Sequence, residues 1–183
     1  LGGMAATSLT HEPDAKEMLA ALLPAFYPAL PIMAMCIVMT NGLPHWRLYV
    51  WMMFGLSVAS DGFALFFGMA FGKRKLIPRV SPNKTVAGAI GGFVGSLFAA
   101  AIIFLNSLYF GDGVPFWIFI VLALIGSLMT QVGDIVASYI KRFCGVKDFG
   151  KIFPGHGGLL DRLDGIMYNA VALCIYLLIL TVI

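Results

Sequence analysis

Apolar residues run along this chain in long blocks separated by short polar ones. The blocks cover Met18–Thr40, Trp46–Phe71, Val86–Phe110, Pro115–Ile140 and Leu163–Ile183. A helix needs about 20 residues to cross the hydrocarbon core of a bilayer, so each block predicts one span. Pro24, Pro28 and Pro31 fall in the first block and predict bends, which membrane helices tolerate when neighbours re-satisfy the backbone. Trp46, Trp51 and Trp117 lie near block ends, as interfacial aromatics do. Residues Leu1–Lys16 are polar and aperiodic; they predict a mobile lead-in without the pattern of a signal peptide. The expected architecture is therefore all-α: a polytopic membrane helical bundle of about five transmembrane helices, forming a single membrane domain over residues 17–183.

Composition agrees. Of 183 residues, 60% are hydrophobic and only 11% charged, against about 25% charged in soluble domains. Cys36, Cys144 and Cys174 have no metal-ligand spacing and read as apolar fillers. The small net charge of +3 matters less than its distribution. Of 12 Lys and Arg residues, Arg47 alone, at the outer start of the second block, falls on the other side of a five-span arrangement. The others collect before the first block, in the loop containing Lys73, Arg74, Lys75, Arg79 and Lys84, and in the loop containing Lys141, Arg142, Lys147, Lys151 and Arg162. The positive-inside rule then places the N-terminus and both basic loops in the cytoplasm, at the inner membrane face, and the C-terminus outside.

Carboxylates inside the blocks change the picture further. Asp61 lies mid-block in the second and Asp134 in the inner half of the fourth. A charged side chain at the bilayer centre costs about 2.5–3.5 kcal/mol on insertion scales, so such residues usually mark a cavity or a bundle interior; the alternative is a neutral Asp bonded to a neighbouring helix. Ser127, Gln131, Asp134, Ser138 and Lys141 or Arg142 recur at helical spacing and form one stripe running down to the cytoplasmic loop. Asp61, Ala64, Gly68 and Gly72 share a face, and Gly88, Gly91, Gly92 and Gly95 predict close helix packing. Asp161 and Asp164 are three apart at the start of the last block, where a helix dipole favours anions. Oxygen ligands of this kind suit hard divalent cations, and many cations beside them suit phosphate. Ser81-Pro82-Asn83-Lys84-Thr85 supplies helix-cap residues and places Lys84 at a helix start, which also suits a phosphate. Pro154-Gly155-His156-Gly157-Gly158 is a backbone-exposing loop whose His156 is open to phosphate contact, proton donation or a turn role. No P-loop and no dinucleotide fingerprint is present.

Ser138-x-x-Lys141-Arg142, Lys147-Asp148 and His156-Gly157-Gly158-x-x-Asp161-Arg162-x-Asp164 resemble the signature of the phosphatidate cytidylyltransferases, or CDP-diacylglycerol synthases. A second block from Asp61 to Gly92 resembles the family's other characteristic region, through Gly72-Lys73, Ser81-Pro82 and Lys84-Thr85. It departs at Leu65 and Ala87, as the signature does at Ala137, each standing where a polar side chain is usual. The resemblance implies an Mg²⁺-dependent enzyme that turns CTP and phosphatidate into CDP-diacylglycerol and pyrophosphate. It implies Asp134, Asp161 and Asp61 as metal ligands, with Asp164, Arg162 and His156 beside them at the reacting centre. Lys73, Ser81, Lys84, Thr85, Ser138, Lys141, Arg142 and Lys147 are implied to bind phosphate or nucleotide. The implied partners are CTP, phosphatidate and membrane lipid, with no nucleic acid; a homodimer is left open. Bacterial members are usually longer at the N-terminus, so both a fragment and a short natural form are open. Two other readings stay open: a CTP-dependent lipid-alcohol kinase of the dolichol type, and a non-catalytic membrane subunit or transporter.

Cysteines introduced at Lys75 and Lys151 are expected to be labelled from the same side of sealed vesicles. Labelling from opposite sides would refute the arrangement of spans.

Overall fold

The computed structural model describes residues 25–40, 45–78, 80–150 and 158–182. The expected lead-in over 1–16, the start of the first block, Arg79, Lys151 and His156 lie outside the described residues. The first described element is a wide helical turn over Ala25–Ala29, interrupted at Tyr27, whose φ of −144° and ψ of 115° are extended. It leads into α1 (Leu30–Thr40), and the chain continues through α2 (Trp46–Phe71), β1 (Lys75–Ile77), β2 (Ser81–Thr85), α3 (Val86–Phe110), α4 (Phe116–Phe143) and α5 (Leu160–Val182).

Helices α2 to α5 are long and apolar enough to cross a membrane, which supports a polytopic helical membrane protein. The first block is bent where its prolines predicted. Its described part, Phe26–Thr40, is shorter than a full span, and the rest of the block is outside the described residues. Helices α2 and α3 have the boundaries read from the sequence. Helix α4 runs past Ile140 and carries Lys141 and Arg142 in its last turn, where cations complement the helix dipole. Helix α5 begins before Leu163 and so takes Asp161 into its first turn, where an anion is favoured. The sequence did not predict the hairpin: β1 and β2 pair antiparallel, with Lys75 opposite Thr85 and Ile77 opposite Ser81. Short extended segments are legible by alternation of apolar and polar residues, and Ser-Pro-Asn-Lys-Thr has none.

The bundle is held by close backbone approach and by buried polar pairs. A Cβ on Gly91 would lie 2.8 Å from the Phe63 carbonyl oxygen, so α3 settles onto α2 only because glycine stands there. The fully buried polar side chains reach between helices. Asn169 of α5 donates to the Met53 carbonyl (2.9 Å) and to Ser57 Oγ (3.1 Å) of α2. Ser57 pairs with Thr130 of α4 at 3.0 Å, and Ser60 with Ser127 at 3.0 Å. Ser96 of α3 donates to the Leu56 carbonyl at 3.1 Å. Such interhelical bonds contribute on average about 0.6 kcal/mol each, and they fix rotation as well as association. Around them packs an apolar core that includes Met52, Met53, Leu56, Phe119 and Leu173.

The two basic loops lie at one end of the bundle because α2 to α5 alternate in direction. At the other end His45, which precedes α2, meets Asp112 of the α3–α4 loop at 2.6 Å between Nδ1 and Oδ1.

Gly91→Leu is expected to lower stability in detergent by about 1–3 kcal/mol, the usual cost of overpacking. Ile90→Leu, at a neighbouring exposed position, should leave it unchanged. Equal effects of the two would remove the helix contact as the cause.

Candidate active site

The hairpin folds back over the end of α2 and feeds straight into α3. Thr85 ends β2 and caps α3: its Oγ1 accepts from Gly88 N at 3.0 Å. The cap predicted from the sequence is thus formed, and it leaves the N-terminus of α3 beside a cavity of about 560 Å³. That volume lies within the range of small-molecule sites. Asp61, Ala64, Leu65, Gly68 and Met69 of α2 form one wall, and Gln131 and Asp134 of α4 form the other. Lys75, Ser81, Asn83, Lys84 and Thr85 come from the hairpin. Of the polar stripe read along α4, Gln131 and Asp134 line this cavity, opposite Asp61, Ala64, Gly68 and Gly72 of α2; Ser127, Ser138, Lys141 and Arg142 do not.

Lys84 Nζ lies 2.8 Å from Asp134 Oδ2. The ammonium is buried, yet it is not aligned to make a hydrogen bond with any group among the described residues. Its charge is matched while its donors remain available. Gln131 is locked the other way round: its Nε2 donates to the Ala89 carbonyl (3.2 Å) and to Ser127 Oγ (3.3 Å), which fixes the amide orientation. Both donor contacts point into the protein, so the acceptor oxygen is the group left to the cavity.

Asp134 also belongs to a second group of residues behind the cavity. Asp164, a buried residue of α5, lies near enough for its carboxyl and that of Asp134 to act on each other. Two carboxylates placed near each other in an apolar bundle favour a proton or a cation between them. Asp164 Oδ1 further accepts from Gly165 N at 2.8 Å. The approach depends on Gly133, where a Cβ would lie 2.6 Å from the Asp164 carbonyl oxygen. Asp161, one turn earlier on α5, is fully engaged. Its Oδ1 accepts from Lys141 Nζ at 2.8 Å, and its Oδ2 accepts from Phe149 N (2.9 Å) and Gly158 N (2.8 Å). That set of bonds ties both ends of the α4–α5 loop to the start of α5.

Other implied site residues lie around these groups. Ser138 Oγ donates back to the Asp134 carbonyl at 2.8 Å. Lys73, Arg142, Lys147 and Arg162 are exposed on the same end of the molecule. Ala137, where the resemblance expected an acid, is fully buried beside Tyr27 and Met167. Leu65 lies in the cavity wall. Lys75, Asn83 and Tyr27 were not singled out as site residues in the sequence. The first two sat in a stretch read as loop and cap, and Tyr27 sat in a block read only as a bent span.

Among the described residues no group of three or more His, Cys, Asp or Glu side chains is arranged to hold a metal ion. Asp61, Asp134 and Asp161 thus do not form one ligand set. The Asp134–Asp164 pair nevertheless fits Mg²⁺, which takes one or two carboxylates and completes its shell with phosphate oxygens and water.

The chain matches the model of a cytidylyltransferase family over residues 3–180. It is 46% identical over 125 residues to a phosphatidate cytidylyltransferase of Staphylococcus aureus (strain COL), a match covering 68% of this chain and 45% of that protein. Against the protein of the same name from Staphylococcus haemolyticus (strain JCSC1435) the identity is 42% over 130 residues, covering 70% and 47%. Against that of Brucella abortus biovar 1 (strain 9-941) it is 44% over 128 residues, covering 68% and 44%. The chain thus spans somewhat less than half the length of these relatives.

Asp161→Asn is expected to loosen the α4–α5 loop more than the bundle. Amide exchange at Phe149 and Gly158 should accelerate at least tenfold, while the α2–α3 contact keeps its protection. Unchanged exchange at both amides would show that Asp161 does not order the loop.

Proposed function

The chain belongs to the cytidylyltransferase family, and from that membership we propose that it catalyses cytidylyl transfer from CTP to phosphatidate, giving CDP-diacylglycerol and pyrophosphate. The observation that carries this reading is the double position of Asp134, which pairs with Lys84 in a cation-bearing cavity on one side and lies near the buried Asp164 on the other. The similar proteins are named for this activity.

In the proposed reaction a phosphate oxygen of phosphatidate attacks the α-phosphorus of CTP. The new oxygen–phosphorus bond forms as the bond from that phosphorus to the bridging oxygen breaks, and pyrophosphate leaves with its electrons. No covalent protein intermediate is needed. Both reactants are anions, so the first task of the chain is to neutralise them. Lys84, Lys75 and the N-terminus of α3 do this inside the cavity. Lys141, Arg142, Lys147, Arg162 and Lys73 supply further cations at the same end, and the guanidinium forks suit bidentate phosphate contact. Ser81 and Thr85 add hydroxyls at the cavity mouth. His156 is assigned a phosphate contact on the resemblance alone. Mg²⁺ would be held by Asp134 and Asp164, while Asp161 would keep Lys141 and the α4–α5 loop in place beside them, and when bound the ion would offset phosphate charge. Apolar walls at Leu65 and Met69 accommodate the acyl region of the lipid. On this reading the basic end faces the cytoplasm, where CTP is supplied.

CTP labelled at the α-phosphorus, incubated with phosphatidate vesicles, is expected to transfer its label to lipid in a Mg²⁺-dependent way. Transfer of γ-label would identify a kinase instead, and no transfer would overturn both. Asp134→Asn is expected to reduce cytidylyl transfer at least 1,000-fold, on the order of 4 kcal/mol, with the bundle intact by circular dichroism. Near-normal turnover in that variant would remove Asp134 from the centre.

A further inference from the structure

We propose that the Tyr27 hydroxyl is a further substrate contact of this site, donating a hydrogen bond to a phosphate oxygen bound beside Asp164. Tyr27 is 4% exposed, and its hydroxyl oxygen is buried with no hydrogen-bond partner among the described residues. A phenol buried in an apolar environment almost always finds a partner, because leaving it without one is costly. The ring is not free to turn away. It packs against Phe149 at 5.8 Å and Tyr168 at 6.1 Å between centroids, in a small cluster with Ala137 and Met167. Those neighbours come from the α4–α5 loop, α5 and α4, the three pieces that assemble the Asp134–Asp164 and Lys141–Asp161 pairs. The charged groups acting on the phenol are Asp164, Asp161 and Asp134.

The backbone points the same way. Tyr27 is the extended residue that breaks the first helical turn, immediately before Pro28. Non-helical backbone at membrane depth is tolerated where it is buried in protein or lines a cavity. Here the break turns a side chain from the first segment toward the carboxylates of α4 and α5. A neutral phenol beside carboxylates is a donor, and no acceptor among the described residues meets it. A phosphate oxygen, brought in with its countercharge, supplies that acceptor without adding to the carboxylate charge. The inference rests on the proposed cytidylyltransferase reading for the identity of the phosphate, which belongs to either CTP or phosphatidate.

Tyr27→Phe removes the oxygen and keeps the ring. The full chain in detergent is compared with the variant by thermal unfolding without ligand, with CTP and Mg²⁺, and with phosphatidate in mixed micelles, and by cytidylyl transfer. The unliganded variant is expected to be as stable as the parent or more so, since an unpaired group has been deleted. Its affinity for one of the two phosphate ligands, and kcat/KM for that substrate, should fall about 10- to 100-fold, as for a hydrogen bond to a charged acceptor. Loss confined to CTP assigns the contact to the nucleotide, and loss confined to phosphatidate assigns it to the lipid. A variant that is less stable without ligand but responds to both ligands like the parent would show a merely structural hydroxyl and overturn the inference. If the parent transfers no cytidylyl group yet its phosphate-induced stabilisation needs Tyr27, the contact stands and the reaction assignment falls. If the parent is active and the variant matches it throughout, the contact alone falls. If no phosphate ligand stabilises the parent, both fall.

Discussion

Charge placed inside an apolar bundle has to be matched by charge or by protons, and Asp134 is the residue on which this matching turns. One of its oxygens faces the Lys84 ammonium from the hairpin, and the buried Asp164 of α5 lies near its carboxyl. The Lys84–Asp134 pair is partly exposed, so solvent screens it, but removing either partner still leaves a charge beside the apolar cavity wall. The position of β2, the seating of α5 on α4 and the shape of the cavity are therefore coupled through one side chain. Gly133, one residue earlier, keeps that coupling possible by letting the Asp164 backbone approach.

Around this point the bundle uses polar contacts where a soluble protein would use apolar burial. Lipid tails are as apolar as leucine, so no hydrophobic force selects one helix rotation over another. Asn169, Ser57 and Thr130 make that selection on the side of α2 facing α5, and Ser60, Ser127 and Gln131 make it on the side facing α3. The second set does two things at once. It fixes α2 against α4, and it aims the Gln131 amide so that an acceptor is left to face the ligand space.

Much of the fold was legible because a bilayer imposes length and polarity on the chain. The ends of α2 and α3 follow from hydrophobicity alone, and the cation asymmetry groups the loops that the helix directions bring to one end. The cap at Thr85 was legible as chemistry, since a hydroxyl before an apolar run has few other uses. The hairpin was not, because its residues carry no alternation and pair only once α2 and α3 are side by side. Among the acids, the sequence placed Asp161 and Asp164 on one face of α5, but not their different partners. Which of them meets Lys141 and which lies near Asp134 is decided by the crossing of α4 and α5, a tertiary quantity. Tyr27 was illegible for a related reason: a tyrosine in an apolar block looks like an interfacial aromatic until the backbone break turns it inward.

The cavity wall formed by Leu65 and Met69 has a kinetic consequence. Both side chains are largely exposed on a helix that is long and apolar enough to cross the membrane, while Lys75 and Lys84 bound the same space from the hairpin. On the proposed reading, a molecule filling it has one end dissolved in the bilayer and the other in water. On the same reading, one reactant reaches the site by lateral diffusion in a sheet and the other by diffusion through a volume. The quantity that sets occupancy for the first is its mole fraction among the lipids, not its amount per litre. Diluting the membrane with inert lipid then starves the site even when the total concentration in the tube is unchanged.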